Sequence, residues 1–263
     1  MENKSHELII AIECAKQVGL ILKEHFETDL DHEIKDDTSI VTIADKQAEE
    51  IIKSVLEKEF PLYSFFGEES GLTDNKSNYL WHVDPLDGTR NFANGIPIFA
   101  VSIALEHRGE VVMGVVYNPI TDSLFYAEKG TGAYLNGKQV HVSKQDKKSA
   151  MLTAGASQKD TDQALIRTIM DTFPKRVVRS MRYLGCTALE LCYLARGGTE
   201  VVIPIGLGTY DFAAGTLIVQ EAGGMITDLH GVPWKFPENY FVASNGLFHE
   251  LLITEIKKLE NKI

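Results

Sequence analysis

Trp81-His82-Val83-Asp84-Pro85-Leu86-Asp87-Gly88-Thr89-Arg90-Asn91-Phe92 is the stretch on which the reading of this chain turns. Tyr79 to Val83 predicts a buried strand that runs into a tight turn carrying two carboxylates, Asp84 and Asp87. Pro85 fixes φ between them and removes one backbone donor. Gly88 admits a backbone conformation that a Cβ resists. Such a turn can aim both carboxylates and the Leu86 carbonyl at one point, and converging hard oxygen donors are what Mg²⁺ prefers. The Gly88 and Thr89 amides follow at once, where backbone amides hold anions. A divalent cation beside an anion cradle suggests phosphate chemistry.

On the N-terminal side, Tyr63–Phe66 predicts a short apolar strand leading into Gly67-Glu68-Glu69-Ser70-Gly71. Two glutamates between glycines, directly after a buried strand, read either as a charged turn or as a third source of metal ligands. Before them, Ala44, Ala48, Ile51, Ile52, Val55, Leu56 and Phe60 mark an amphipathic helix that Pro61 ends. It opens with Thr42-Ile43-Ala44-Asp45, which fits a capping box, so Asp45 reads as a cap, a functional residue, or both. Residues 5–27 predict a further amphipathic helix on Leu8, Ile12, Ala15, Gly19, Leu22 and Phe26. Thr28 to Ser39 is acidic and aperiodic, a loop or mobile hairpin in which Lys35 reads as a solvated lysine.

On the C-terminal side, Pro97–Glu106, Val111–Tyr117, Asp122–Glu128 and Ala133–Leu135 predict successive strands with short turns, the last closed at Asn136-Gly137. An antiparallel meander beside long helices indicates an α+β fold. The lysine-rich stretch 142–150 is the best boundary, dividing the chain into halves 1–145 and 146–263. Beyond it, strands are expected at Met151–Gly155, Arg176–Arg179, Val201–Ile205, Met225–Thr227 and Tyr240–Ala243. Helices are expected at Thr161–Phe173, after Gly185, at Phe212–Ala222 and at Leu247–Lys258. Asp211 stands at the start of one of them, where a carboxylate caps free amides. The small residues Ala213, Ala214 and Gly215 say that something packs or binds close to that first turn.

The net charge of −11, from 26 basic and 37 acidic side chains, argues against a nucleic-acid partner, because such binding rests on Lys and Arg meeting phosphates. It does not oppose a small phosphorylated substrate, since a bound metal inverts the local sign. Cys14, Cys186 and Cys192 have neither disulfide nor zinc-like spacing and read as inert thiols. A polar N-terminus and the lack of an apolar run of membrane length point to a cytoplasmic protein without a membrane partner.

Three segments, Gly67-Glu68-Glu69-Ser70, Asp84-Pro85-Leu86-Asp87-Gly88-Thr89 and Tyr210-Asp211-Phe212-Ala213-Ala214-Gly215, resemble in order and separation the signature pieces of the inositol monophosphatase family, among the lithium-sensitive, Mg²⁺-dependent phosphatases. The resemblance spans nearly the whole chain. It implies a layered αβαβα sandwich assembled as a homodimer. It also implies that Glu68, Asp84 and the Leu86 carbonyl hold one Mg²⁺, that Asp84, Asp87 and Asp211 hold a second, and that Glu68 helps to hold a third. The Gly88 and Thr89 amides would take the phosphate, with Gly185 and Asp211 also meeting the substrate. Asp45 and the Thr89 hydroxyl would orient and deprotonate the attacking water, with Glu68 as the further catalytic group. His82 reads as structural.

Two positions depart from the family pattern. Tyr210 replaces a usual Trp, a mild exchange. Pro204 stands seven residues before Asp211, near where inositol-specific members carry a glutamate that contacts a substrate hydroxyl. That leaves a broader polyol or sugar phosphatase, a fructose-1,6-bisphosphatase-like activity, or a phosphatase for NADP or adenosine bisphosphates. Arg90, Arg179 and Arg182 are either surface arginines or partners for a second phosphate. The rival from another class is a non-catalytic protein that binds Ca²⁺, although no EF-hand loop is present.

Overall fold

The structure, a computed structural model, describes residues 4–26, 32–34 and 40–260. Lys35 and most of the predicted loop 28–39 lie outside the described residues. Helix α1 (His6–His25) starts on Ser5, whose side chain accepts the Leu8 amide, and buries the face predicted for it. Strands β1 (His32–Ile34) and β2 (Ile40–Thr42) pair antiparallel, and α2 (Ile43–Glu59) follows directly. Thr42, read as a helix cap, is thus the last residue of a strand.

Then come β3 (Ser64–Gly67), β4 (Gly71–Thr73) and β5 (Tyr79–Asp87), so the Glu68-Glu69-Ser70 turn links two antiparallel strands. A five-residue helix, α3 (Thr89–Ala93), leads to the meander of β6 (Ala100–His107), β7 (Glu110–Asn118), β8 (Ser123–Glu128), β9 (Ala133–Leu135) and β10 (Lys138–Val140). These strands form one sheet in the order β10-β9-β8-β7-β6-β5-β3-β4, antiparallel except where β3 runs parallel to β5.

Past residue 150 the chain builds β11 (Met151–Ala156), α4 (Asp160–Thr172), β12 (Ser180–Arg182), α5 (Thr187–Ala195), β13 (Val201–Ile205), α6 (Thr209–Glu221), β14 (Met225–Asp228), β15 (Phe241–Ser244) and α7 (His249–Glu260). The second sheet has the order β12-β11-β13-β15-β14 and is mixed. The strand expected at Arg176–Arg179 is not formed. Phe173–Lys175 is a tight 3-10 turn with Pro174 inside it, and the Arg176 and Val177 amides close onto the Phe173 carbonyl. Val177 and Val178 are apolar because they pack into the outer core from that turn, and pairing with β11 begins only at Ser180.

Three apolar clusters stack the layers. The first joins α1 and α2 to one face of the large sheet. The second fills the space between its other face, α5 and α6, and the inner face of the small sheet. The third lies between the small sheet, α4 and α7. The order α1/α2, sheet, α5/α6, sheet, α4/α7 is the αβαβα sandwich of an α+β fold.

Two close approaches seat α6. A Cβ on Gly114 would stand 2.7 Å from the Ala214 carbonyl oxygen, and one on Gly215 would stand 2.7 Å from Leu191 side-chain carbons. Gly114 thus lets β7 touch the backbone of α6. Gly114→Ala should cost about 1–3 kcal/mol, the range for overpacking a well-filled interior, measured as a lower urea midpoint at unchanged slope.

Candidate active site

Strand β5 ends in the turn singled out in the sequence. Its pairing with β6 slips between Asp84 and Asp87, so the strand bulges where its carboxylates leave it. Asp84 is anchored locally, its Oδ1 accepting the Leu86 amide at 2.9 Å. Asp87 is anchored from the start of α5, its Oδ2 accepting the Ala188 amide at 2.6 Å and facing the Cys186 sulfur at 3.3 Å. Gly88 follows with φ of 95°, and a Cβ there would stand 2.8 Å from the Ile98 carbonyl oxygen. Only glycine makes this turn without strain.

Asp211 arrives from the first turn of α6. Its Oδ2 accepts the Gly208 amide at 2.8 Å, so the capping role expected of it is real, and its carboxylate also faces the other two. Oxygens of Asp84, Asp87 and Asp211 all lie within 4.8 Å of one another. Glu68 lines the same cleft as Asp87 and Asp211. The turn that carries Glu68 is held by Glu49 of α2, whose buried carboxylate accepts the Glu69 and Ser70 amides at 2.8 and 2.7 Å. A Cβ on Gly67 would strike that carboxylate at 2.5 Å.

Asp45 is fully buried in the first turn of α2, and its Oδ1 lies 3.1 Å from the Thr89 hydroxyl. The Leu86 carbonyl oxygen lies 3.0 Å from the same hydroxyl. Two acceptors therefore compete for one proton. Gly88, Thr89 and Gly185 line a cleft of about 480 Å³ with Glu68, Asp87 and Asp211. Arg90 also lines it, while Arg179 and Arg182 are exposed outside it. Apart from Arg179 and Arg182, the sequence-predicted site residues thus lie together in one region.

His82 is structural in a defined way. Its imidazole lies 2.9 Å from the Thr209 hydroxyl and 3.0 Å from Glu106, tying β5 and β6 to the first residue of α6. It stands two residues before Asp84, and Thr209 stands two before Asp211, so one ring fixes the strand and the helix that bring those carboxylates together. The Tyr210 ring packs on Phe66, and its carbonyl accepts the Ser102 hydroxyl. Sequence reasoning missed Glu49, the Ala188 amide and Glu190. Glu49 and Glu190 carry one usable signal, an acid on the buried face of a helix. Ala188 carries none.

The electrostatics identify what the cluster lacks. Burial, and then the charges of Glu68, Asp87 and Asp211, hold Asp84 well above the usual carboxylate range. Burial, followed by Asp87 and Glu68, does the same to Asp211. Asp87 is pushed up to about 7, chiefly by burial. The donors are all hard oxygens, and their mutual repulsion is what a divalent cation neutralises, so this residue set fits such an ion.

Residues 3–261 match the model of the inositol monophosphatase family. An inositol-1-monophosphatase of Mesorhizobium japonicum is 36% identical over 97% of both chains. A fructose-1,6-bisphosphatase/inositol-1-monophosphatase of Aquifex aeolicus is 37% identical over 98% of both. Among solved structures, the extragenic suppressor protein suhB of Bartonella henselae superposes with a TM-score of 0.88 at 36% identity, covering 97% of this chain and 99% of that one.

The shifted carboxylates give a signed prediction. The folded value of Asp87 lies above its ordinary 3.8, so between about pH 4 and 7 the native chain binds more protons than the unfolded one. Without metal, this stabilising contribution is present at low pH and is lost as pH rises through about 7. A cation bound to the ionised carboxylates opposes the loss. Mg²⁺ should therefore raise the melting temperature by about 3 °C or more near pH 8 and by less near pH 5, read by calorimetry against an EDTA control.

Proposed function

The chain belongs to the inositol monophosphatase family, and from that premise we propose that this phosphatase is a Mg²⁺-dependent phosphomonoesterase for a small phosphorylated polyol or sugar. The observation that carries the reading is the meeting of Asp84, Asp87 and Asp211 within 4.8 Å. Glu68, Asp84 and the Leu86 carbonyl would hold one Mg²⁺. Asp84, Asp87 and Asp211 would hold a second, and Glu68 would help with a third. When bound, these ions neutralise phosphoryl charge and acidify water, the two needs of phosphate ester hydrolysis.

The chain's own residues position the rest. The Gly88 and Thr89 amides, freed by the left-handed turn at Gly88, face the cleft where the phosphate group binds. Gly185 and Asp211 meet the organic part. The Thr89 hydroxyl orients the attacking water, and a proton taken by Thr89 passes to Asp45, whose Oδ1 is 3.1 Å away. A purely ion-storing protein has no use for a threonine hydroxyl at the cleft paired with the buried Asp45, which supports catalysis. The same reading carries a homodimer in the cytoplasm. No helix among the described residues is long and apolar enough to cross a membrane.

Pro204 favours a wider substrate range. It is buried in β13 opposite Gly155 and brings no polar group to the cleft wall. The Aquifex aeolicus relative is named for both fructose bisphosphate and inositol phosphate hydrolysis. A panel of inositol 1-phosphate, fructose 1,6-bisphosphate, NADP and adenosine 3′,5′-bisphosphate should therefore show more than one substrate, and activity confined to the nucleotides would reassign the enzyme.

Asp84→Asn should lower Mg²⁺-dependent phosphate release by about 10³-fold or more while circular dichroism stays native. Activity surviving in that variant would remove the metal reading. Lithium should inhibit the wild-type enzyme by competing for the same carboxylates, and full activity at about 50 mM Li⁺ would contradict the shared site.

A further inference from the structure

A second cavity, of about 500 Å³, lies apart from the cleft and shares no lining residue with it. It opens between the start of β7, the C-terminal half of α6 and the segment Trp234-Lys235-Phe236, which follows β14. Its volume is close to that of the cleft and falls in the range of small-molecule sites. Its walls are aromatic and set in place. Trp234 donates its indole N–H to the Glu238 carbonyl at 2.7 Å, and its ring packs on Phe241 with centroids 5.2 Å apart. The Phe236 ring is held among Phe212, Trp234 and the His82 imidazole. Trp234 and Phe236 are only half-buried, and they line the cavity together with Val111 and Leu217. An aromatic ligand can pack there without ordering a loose side chain.

Most polar groups around this cavity are already committed. Lys129 pairs with Glu110. Glu221 accepts the Gly130 and Gly132 amides, one on each oxygen, at 2.7 Å. The Thr216 hydroxyl donates to the Ala213 carbonyl at 2.9 Å. Lys235 differs. It is exposed, lines the cavity, and has no ion-pair or hydrogen-bond partner for its ammonium among the described residues. The Gln220 carboxamide, exposed on α6 and also lining the cavity, is likewise uncommitted there. A cation and an amide beside open aromatic surface select an anion that carries a ring.

We propose that this cavity is a second ligand site, which takes a small planar aromatic anion whose ring packs on Trp234 and Phe236 and whose acid group meets Lys235 and Gln220. A cationic ligand fits poorly, because the two acids at the cavity, Glu110 and Glu221, already hold Lys129 and two backbone amides. A wholly apolar ligand leaves Lys235 unused. Occupancy does not depend on the hydrolytic chemistry of the cleft, so binding alone tests it.

The test is calorimetry on the full chain with Mg²⁺ present, comparing indole-3-propionate with its uncharged counterpart, indole-3-propionamide. One site per chain is expected, with Kd below about 1 mM for the acid and about tenfold weaker binding of the amide. Lys235→Gln, an exposed change, should bring the acid to the amide's level and leave the amide unmoved. Gln220→Trp, also exposed, should fill the cavity and abolish binding of both while circular dichroism stays native. Excess inorganic phosphate should leave the titration unchanged. Absence of binding up to about 10 mM acid overturns the proposal, as do equal affinities for acid and amide. Displacement of the acid by inorganic phosphate overturns it by placing the acid in the cleft. A lower sedimentation coefficient in Gln220→Trp overturns it by showing that a second copy of the chain covers this face.

Discussion

Like charges held close together in a buried place set the terms for this molecule. Two ionised carboxylates within 4.8 Å of each other repel by on the order of 3 kcal/mol or more at the effective dielectric of a protein site. The chain brings three of them together and adds Glu68 at the rim. Each of the three is tied to a backbone amide, of Leu86, Ala188 or Gly208, and these amides belong to three different parts of the chain. Charge-assisted bonds of this kind are the stronger class. They keep the oxygens converging against that repulsion.

Holding such a cluster needs stiff supports, and the layered fold supplies them. The first two carboxylates leave an inner strand of an eight-stranded sheet. The third leaves a helix sandwiched between two sheets. The helix lies close to the sheet because Gly114 and Gly215 have no side chains to keep their neighbours away, and the His82 imidazole locks the two elements where their acids emerge. A site on rigid elements holds its geometry better than one on loops, which suits a cluster that would otherwise spring apart.

This logic explains which parts of the site were legible in the sequence. Asp84, Asp87 and Gly88 were readable because the turn is local, and its residues state their own φ and donor content. The meander was readable from alternation and the Asn136-Gly137 turn. Asp45 and Asp211 were ambiguous because a helix cap and a functional carboxylate use the same atoms, and Asp211 proves to do both. The short helix α3 was missed because five residues show no period. Val177-Val178 misled because burial in a turn and burial in a strand select the same side chains. The amide of Ala188 was invisible, since a backbone donor can belong to any residue. The acid at Glu190 was visible but unreadable, because its partner is the Leu184 amide, another backbone donor.

The two ends of the cleft are built differently, and that separates chemistry from selection. At the carboxylate end Asp84, Asp87 and Asp211 each accept a backbone amide, so replacing one of them disturbs its neighbours through the shared charge. Farther along the cleft, Gly155, Ala156 and Leu207 form the wall, and Pro204, buried in β13 opposite Gly155, takes no part in the cluster's anchoring bonds. Binding energy gained at the far end of a substrate can serve the reacting end.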